Sequence, residues 1–119
     1  MSSKRYINQI QFNPENSSDI KKDVSNYFNK KDFHEINANG ETFFANNTIN
    51  QFRWVICLKI SFNDNTAFIE AWLFGVNIIG KTNFNEEYGP DSMFGYMWRP
   101  ISALKAVIRD VEIILTKEA

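Results

Sequence analysis

The sequence holds a single cysteine, Cys57, and a single histidine, His34. Structural zinc usually draws four ligands from these two residue types, so no such site can be assembled. One thiol cannot form an internal disulfide, which fits a reducing compartment. Cys57 sits among apolar neighbours, where a thiol is inert, and nothing beside His34 makes it a base. Gly-rich phosphate loops and Gly-x-Ser-x-Gly elbows are missing too. The stretch Asn63-Asp64-Asn65 lacks the glycine and terminal glutamate of a calcium loop and reads as a turn. The expectation is no assigned catalytic residue, no metal and no cofactor, which argues against an enzyme with a familiar triad or metal and leaves unusual acid-base chemistry open.

An excess of either charge is also lacking. Thirteen basic against fourteen acidic residues leave a net charge of −1, so no field gathers phosphates and nucleic acid is not an expected partner. Lys21-Lys22 and Lys30-Lys31 each adjoin an aspartate and read as a solvated face. Long hydrophobic runs are absent. The most apolar run, from Ala67 to Ile79, contains Glu70 and Asn77 and is too short to span a bilayer. The opening MSSKRYINQIQF has no signal-peptide core. A cytoplasmic protein without membrane insertion is expected. Asparagine is abundant, which we read as compositional bias, and the Asn-x-Ser/Thr matches at Asn16 and Asn46 as chance.

What is present suits one domain over residues 1–119. Hydrophobic residues make up 44 % and charged residues 23 %, ordinary for a globular chain. Residues Arg5 to Phe12 alternate weakly, as in a first strand, until Asn13-Pro14 breaks them. Ser17 or Ser18 then caps a helix to about Lys30, with Ile20, Val24, Tyr27 and Phe28 on one face. Phe33–Ala38 and Glu41–Ala45 flank Asn39-Gly40, a type I′ hairpin signal. In FRWVICLKISF, Trp54, Ile56, Leu58, Ile60 and Phe62 share one side with Phe52, while Arg53, Val55, Cys57, Lys59 and Ser61 take the other. Thr66–Phe74 returns antiparallel, and Gly75 marks an end or a bulge. Val76–Ile79 reads as a short strand and Gly80–Glu87 as a polar loop. Pro100 suits the first turn of a final helix, whose stripe runs through Ile101, Leu104, Ile108, Val111 and Leu115.

The order predicts an α+β fold: a single domain with an antiparallel sheet of four to five strands, two consecutive hairpins among them, and an N-terminal and a C-terminal helix packed on it. No motif matches a family; the layout fits several unrelated α+β superfolds, cystatin-like and helix-grip sheets among them, and folds that host many functions license none.

Two features point to a working surface. The returning strand is apolar on both sides, with Ala67, Ile69, Ala71 and Leu73 on one and Phe68, Trp72 and Phe74 on the other, so something must cover each face. Glu70 lies among the second set. Desolvation would raise its pKa, or an ion pair to Lys59 or Arg53 would hold it. Aromatic sheet faces also bind RNA, but the RNP signature is absent. The other feature is residues 88–100, YGPDSMFGYMWRP, where rings and methionines are punctuated by Gly and Pro. This segment reads either as a lid over the second sheet face or as a docking surface, since Tyr, Trp, Met and Arg are enriched in interfaces. Arg99 would meet an anion or a partner's acid.

The candidate ligand- or partner-binding residues are therefore Phe68, Glu70, Trp72, Tyr88, Phe94, Tyr96, Trp98 and Arg99. The leading expectation is a non-catalytic binding or protein-interaction module that associates with a protein partner or with itself, as a homodimer through a sheet face or edge. The alternative is a small-molecule pocket between the sheet and residues 88–99, walled by Trp72, Tyr96 and Trp98 with Glu70 or Arg99 as anchors. An immunity-type inhibitor is a further reading.

Overall fold

The computed structural model describes residues 5–46, 54–76, 82–90 and 98–117. Strand β1 (Tyr6–Gln11) leads through a 3-10 turn (Pro14–Asn16) into α1 (Ser17–Lys30). Two hairpins follow, β2 (His34–Ala38) with β3 (Glu41–Asn46) and β4 (Trp54–Asn63) with β5 (Thr66–Val76). Then come β6 (Thr82–Tyr88) and α2 (Trp98–Lys117). Among the described residues the sheet has six strands, in the order β1-β5-β4-β3-β2 with β6 also paired to β5. The α+β class, the two hairpins and the two packed helices stand as expected, and the sheet gains a strand.

Local chemistry explains most boundaries. Asn39 and Gly40 hold φ of 55° and 80°, the left-handed pair a type I′ turn needs. The helix start differs from expectation. Neither serine caps it. The Asn13 side chain instead accepts the Glu15 N–H at 3.0 Å and starts the 3-10 turn that runs into α1. At the other end Asp32 takes φ 58°, and the Phe33 N–H reaches the Phe28 carbonyl at 2.9 Å. That bond closes the helix as a glycine would, with an aspartate in the left-handed position.

Strand β5 organises the sheet. One edge pairs with β4 from Asn63↔Thr66 to Trp54↔Gly75. The other is shared: β1 covers it from Gln11↔Thr66 to Tyr6↔Ala71, and β6 takes over at Leu73↔Tyr88. Residues 82–88 are thus a strand where a polar loop was expected. The unpaired upper edge of β5 needs hydrogen-bond partners, and this tertiary demand outweighs the low β-propensity of Asn and Glu. The register of β6 shifts between Phe74 and Gly75, so the glycine marks an irregularity. Val76 closes β5, and residues 77–81, which hold the rest of the expected short strand and the start of the expected loop, lie outside the described residues. So do Phe52 and Arg53.

Both helices pack on one sheet face. Ile20, Val24 and Phe28 of α1 and Leu104, Val111 and Leu115 of α2 bury Ile56, Leu58, Ala67, Ile69, Ala71 and Leu73. The second face forms its own core of Phe43, Ala45, Val55, Cys57, Trp72 and Phe74. Phe74 and Trp72 therefore point away from Ile56 and Leu58, as alternation requires. The β2–β3 hairpin helps to cover this second core. It curls over until the Asn39 side-chain amide donates to the Phe84 carbonyl of β6 at 2.7 Å. Phe43 meets Trp72 and Phe74 at ring separations of 5.0 and 5.9 Å, and Phe84 meets Phe74 at 5.2 Å. The sheet is a half-closed barrel around these rings. Residues 91–97, most of the expected lid, lie outside the described residues.

Candidate functional site

The second face carries a charged clasp at one end and a groove at the other. Arg5 lies just before β1, where the register puts it beside Trp72. Its guanidinium carbon sits 3.6 Å from the centre of the Trp72 ring, a flat cation–π stack. Around the rim stand three carboxylates. Nε and Nη2 donate to the two oxygens of Glu87, both at 2.6 Å. Nη1 donates to Glu70 at 3.1 Å and to Glu41 at 3.0 Å, and Nη2 donates to the other Glu41 oxygen. All five N–H groups of the guanidinium are thereby used. Lys59 adds a second cation, 3.1 Å from Glu41 and 4.0 Å from Glu70. One arginine thus ties together β1, β3, β5 and β6, with β4 attached through Lys59.

The electrostatics follow. Hydrogen bonds to Glu87 and Glu41 push the Arg5 pKa up, against the opposing effect of its burial. Hydrogen bonding to Arg5, and then to Lys59, lowers the Glu41 carboxyl to about 2. Burial pushes the Cys57 thiol up and keeps it protonated, which agrees with an inert thiol. Among the described residues no three His, Cys, Asp or Glu side chains are grouped so as to hold a metal ion. Nor is any helix among them long and apolar enough to cross a membrane.

At the opposite end of the second core the described strands of the curled sheet do not close on one another. Among the described residues strand β2 pairs only with β3, and β6 only with β5. Both run parallel to β4, because each is an even number of antiparallel steps away from it. Pinned together at Asn39–Phe84, the two strands leave a groove of about 260 Å³ lined by His34 and Ile36 of β2, Thr82 and Phe84 of β6, and Ala45 and Val55. Its base is apolar. His34 at its wall is exposed.

The residues singled out in the sequence are dispersed by this geometry. Glu70 is ion-paired to Arg5 and Lys59; the cross-hairpin lysine was foreseen, the arginine was not. Trp72 is fully buried under the clasp. Phe68 is half-buried on the second face, opposite Gln9 and Ser61. Tyr88 turns to the helix side, where its ring meets Trp54 edge-on at 5.3 Å. Phe94 and Tyr96 lie outside the described residues. Trp98 and Arg99 open α2, and their side chains lie outside the description as well.

Sequence reasoning missed Arg5, Glu41 and Glu87. Only Glu41 left a signal, since it shares the alternation of Phe43 and Ala45. No protein-family model matches the chain, and neither a curated protein nor a solved structure does.

Proposed function

We propose that this protein is a non-catalytic interaction module that takes an extended segment of a partner protein into the seam between β2 and β6. The observation that carries this reading is the groove at His34, Ile36, Thr82 and Phe84, bounded by two strands that, among the described residues, each pair on one side only. Unpaired strand edges offer backbone donors and acceptors to an added strand, and apolar recesses between them take its alternate side chains. The saturated guanidinium of Arg5 and the buried ring of Trp72 give the clasp a supporting role, holding the seam's two walls at a fixed separation. A small-molecule pocket walled by Trp72 has less in its favour, because no surface of that ring reaches solvent.

The test is selection of displayed random peptides on the immobilised protein, followed by amide-resolved NMR titration with one synthetic winner. Saturable shifts at His34, Ile36, Thr82 and Phe84 are expected, with at least roughly tenfold weaker binding to Ile36→Lys. Shifts confined to other surfaces would remove the proposal. So would a protein that is dimeric alone and becomes monomeric as Ile36→Lys, since the seam would then hold a second copy.

A further inference from the structure

On the helix side, away from the seam, lies a second hollow of about 260 Å³ lined by Tyr6 of β1, Pro90, and Lys105, Ile108, Arg109 and Glu112 of α2. We infer that this hollow binds a small organic anion, with its charged head between Lys105 and Arg109 and its apolar body against Ile108, Pro90 and the Tyr6 ring. Lys105 and Arg109 are exposed and four residues apart on α2, so they stand on one face, one turn from each other. Like charges at that spacing repel and weaken a helix.

The natural neutraliser is Glu112, three residues beyond Arg109. It is turned away. The Asn8 side-chain amide donates to Glu112 Oε2 at 2.7 Å, and the Tyr6 hydroxyl donates to the same oxygen. Burial and Glu112 itself raise the Tyr6 pKa to about 12, so this donor persists at neutral pH. Among the described residues neither Lys105 nor Arg109 forms an ion pair. Among the described residues, then, two cations without an ion-pair partner border an apolar recess whose acid, Glu112, has one oxygen already engaged. Arginine's fork suits a carboxylate, and lysine adds a point charge.

The experiment is amide-resolved NMR titration of the whole protein with benzoate, with benzamide as its neutral counterpart, and with inorganic phosphate. Benzoate is expected to give saturable shifts at residues 105–112 and 6–8. Benzamide should bind at least roughly tenfold more weakly, as should benzoate to K105A/R109A, because a charge-assisted contact is lost in each case. Circular dichroism melting checks that the double variant stays folded; both positions are exposed, so its midpoint should hold. Benzamide binding as well as benzoate would overturn the inference, as would undiminished binding to the double variant. Phosphate binding as tightly as benzoate would also overturn it, since the apolar walls would then contribute nothing. The seam plays no part in these outcomes, so failure there leaves this hollow untouched.

Discussion

The guanidinium of Arg5 lies flat over the indole of Trp72, its carbon 3.6 Å from the ring centre. Three carboxylates converge on that cation. Removing it would leave them facing one another and open the ring beneath. Arg5→Ala should lower unfolding free energy by about 3 kcal/mol, since stripping one partner from a partly buried network strands the rest. Arg5→Lys should recover only part, because an ammonium has neither the fork nor the flat stack. Urea titrations of the three proteins measure this. Equal stability of Arg5→Lys and the wild type would refute the geometric part.

The clasp also makes stability depend on acid. Glu41 titrates at about 2 when folded, against an ordinary 4.5, so the unfolded chain binds this proton first. The stabilisation is complete above 4.5 and disappears as pH falls towards about 2. Its size is of order 2 kcal/mol. Glu41→Gln should therefore show a flatter fall in stability across that window. Parallel curves for the two proteins would mean that Glu41 is not held as described.

Those five clasp residues show where the sequence stops being readable. The strand Trp54–Asn63 and both helices announce themselves, because burying one face imposes a period of 2 or 3.6 on nearby residues. The two-sided apolarity of β5 was equally plain, and the second core it implied is real. The clasp joins positions 5, 41, 59, 70 and 87, and no local pattern links them. Strand β6 hid for a related reason: its residues are polar, and only the free edge of β5 makes them a strand. The seam depends on how far the sheet curls, which involves packing of Phe43 on Trp72 and Phe74 and of Phe84 on Phe74, residues far apart in the chain.

Burial of Cys57 gives a simple kinetic readout. The thiol is fully enclosed and its pKa is raised. A thiol-specific reagent such as dithionitrobenzoate should react with it only on opening of the sheet, and at the rate of a free thiol in urea. Rapid labelling of the native protein would contradict the packing of the second core.

The end of α1 offers a stabilising change. Asp32 holds φ 58°, a conformation that strains a residue bearing a Cβ and leaves glycine at ease. Asp32→Gly should raise stability by about 0.5–1 kcal/mol, seen as a higher urea midpoint with an unchanged slope. A lower midpoint would show that the carboxylate itself contributes something the backbone geometry does not reveal.

The shared edge of β5 has a consequence for synthesis. Tyr6 finds its partner only when Ala71 has been made, and the segment from Leu73 onward must wait for Tyr88. Local hairpins such as β4–β5 close quickly, whereas contacts across such long stretches of chain form slowly. As the chain leaves the ribosome, β1 emerges before the strands β2 to β6 and is among the latest of them to dock, and Arg5 travels unpaired until the strands it will bind together have gathered around it.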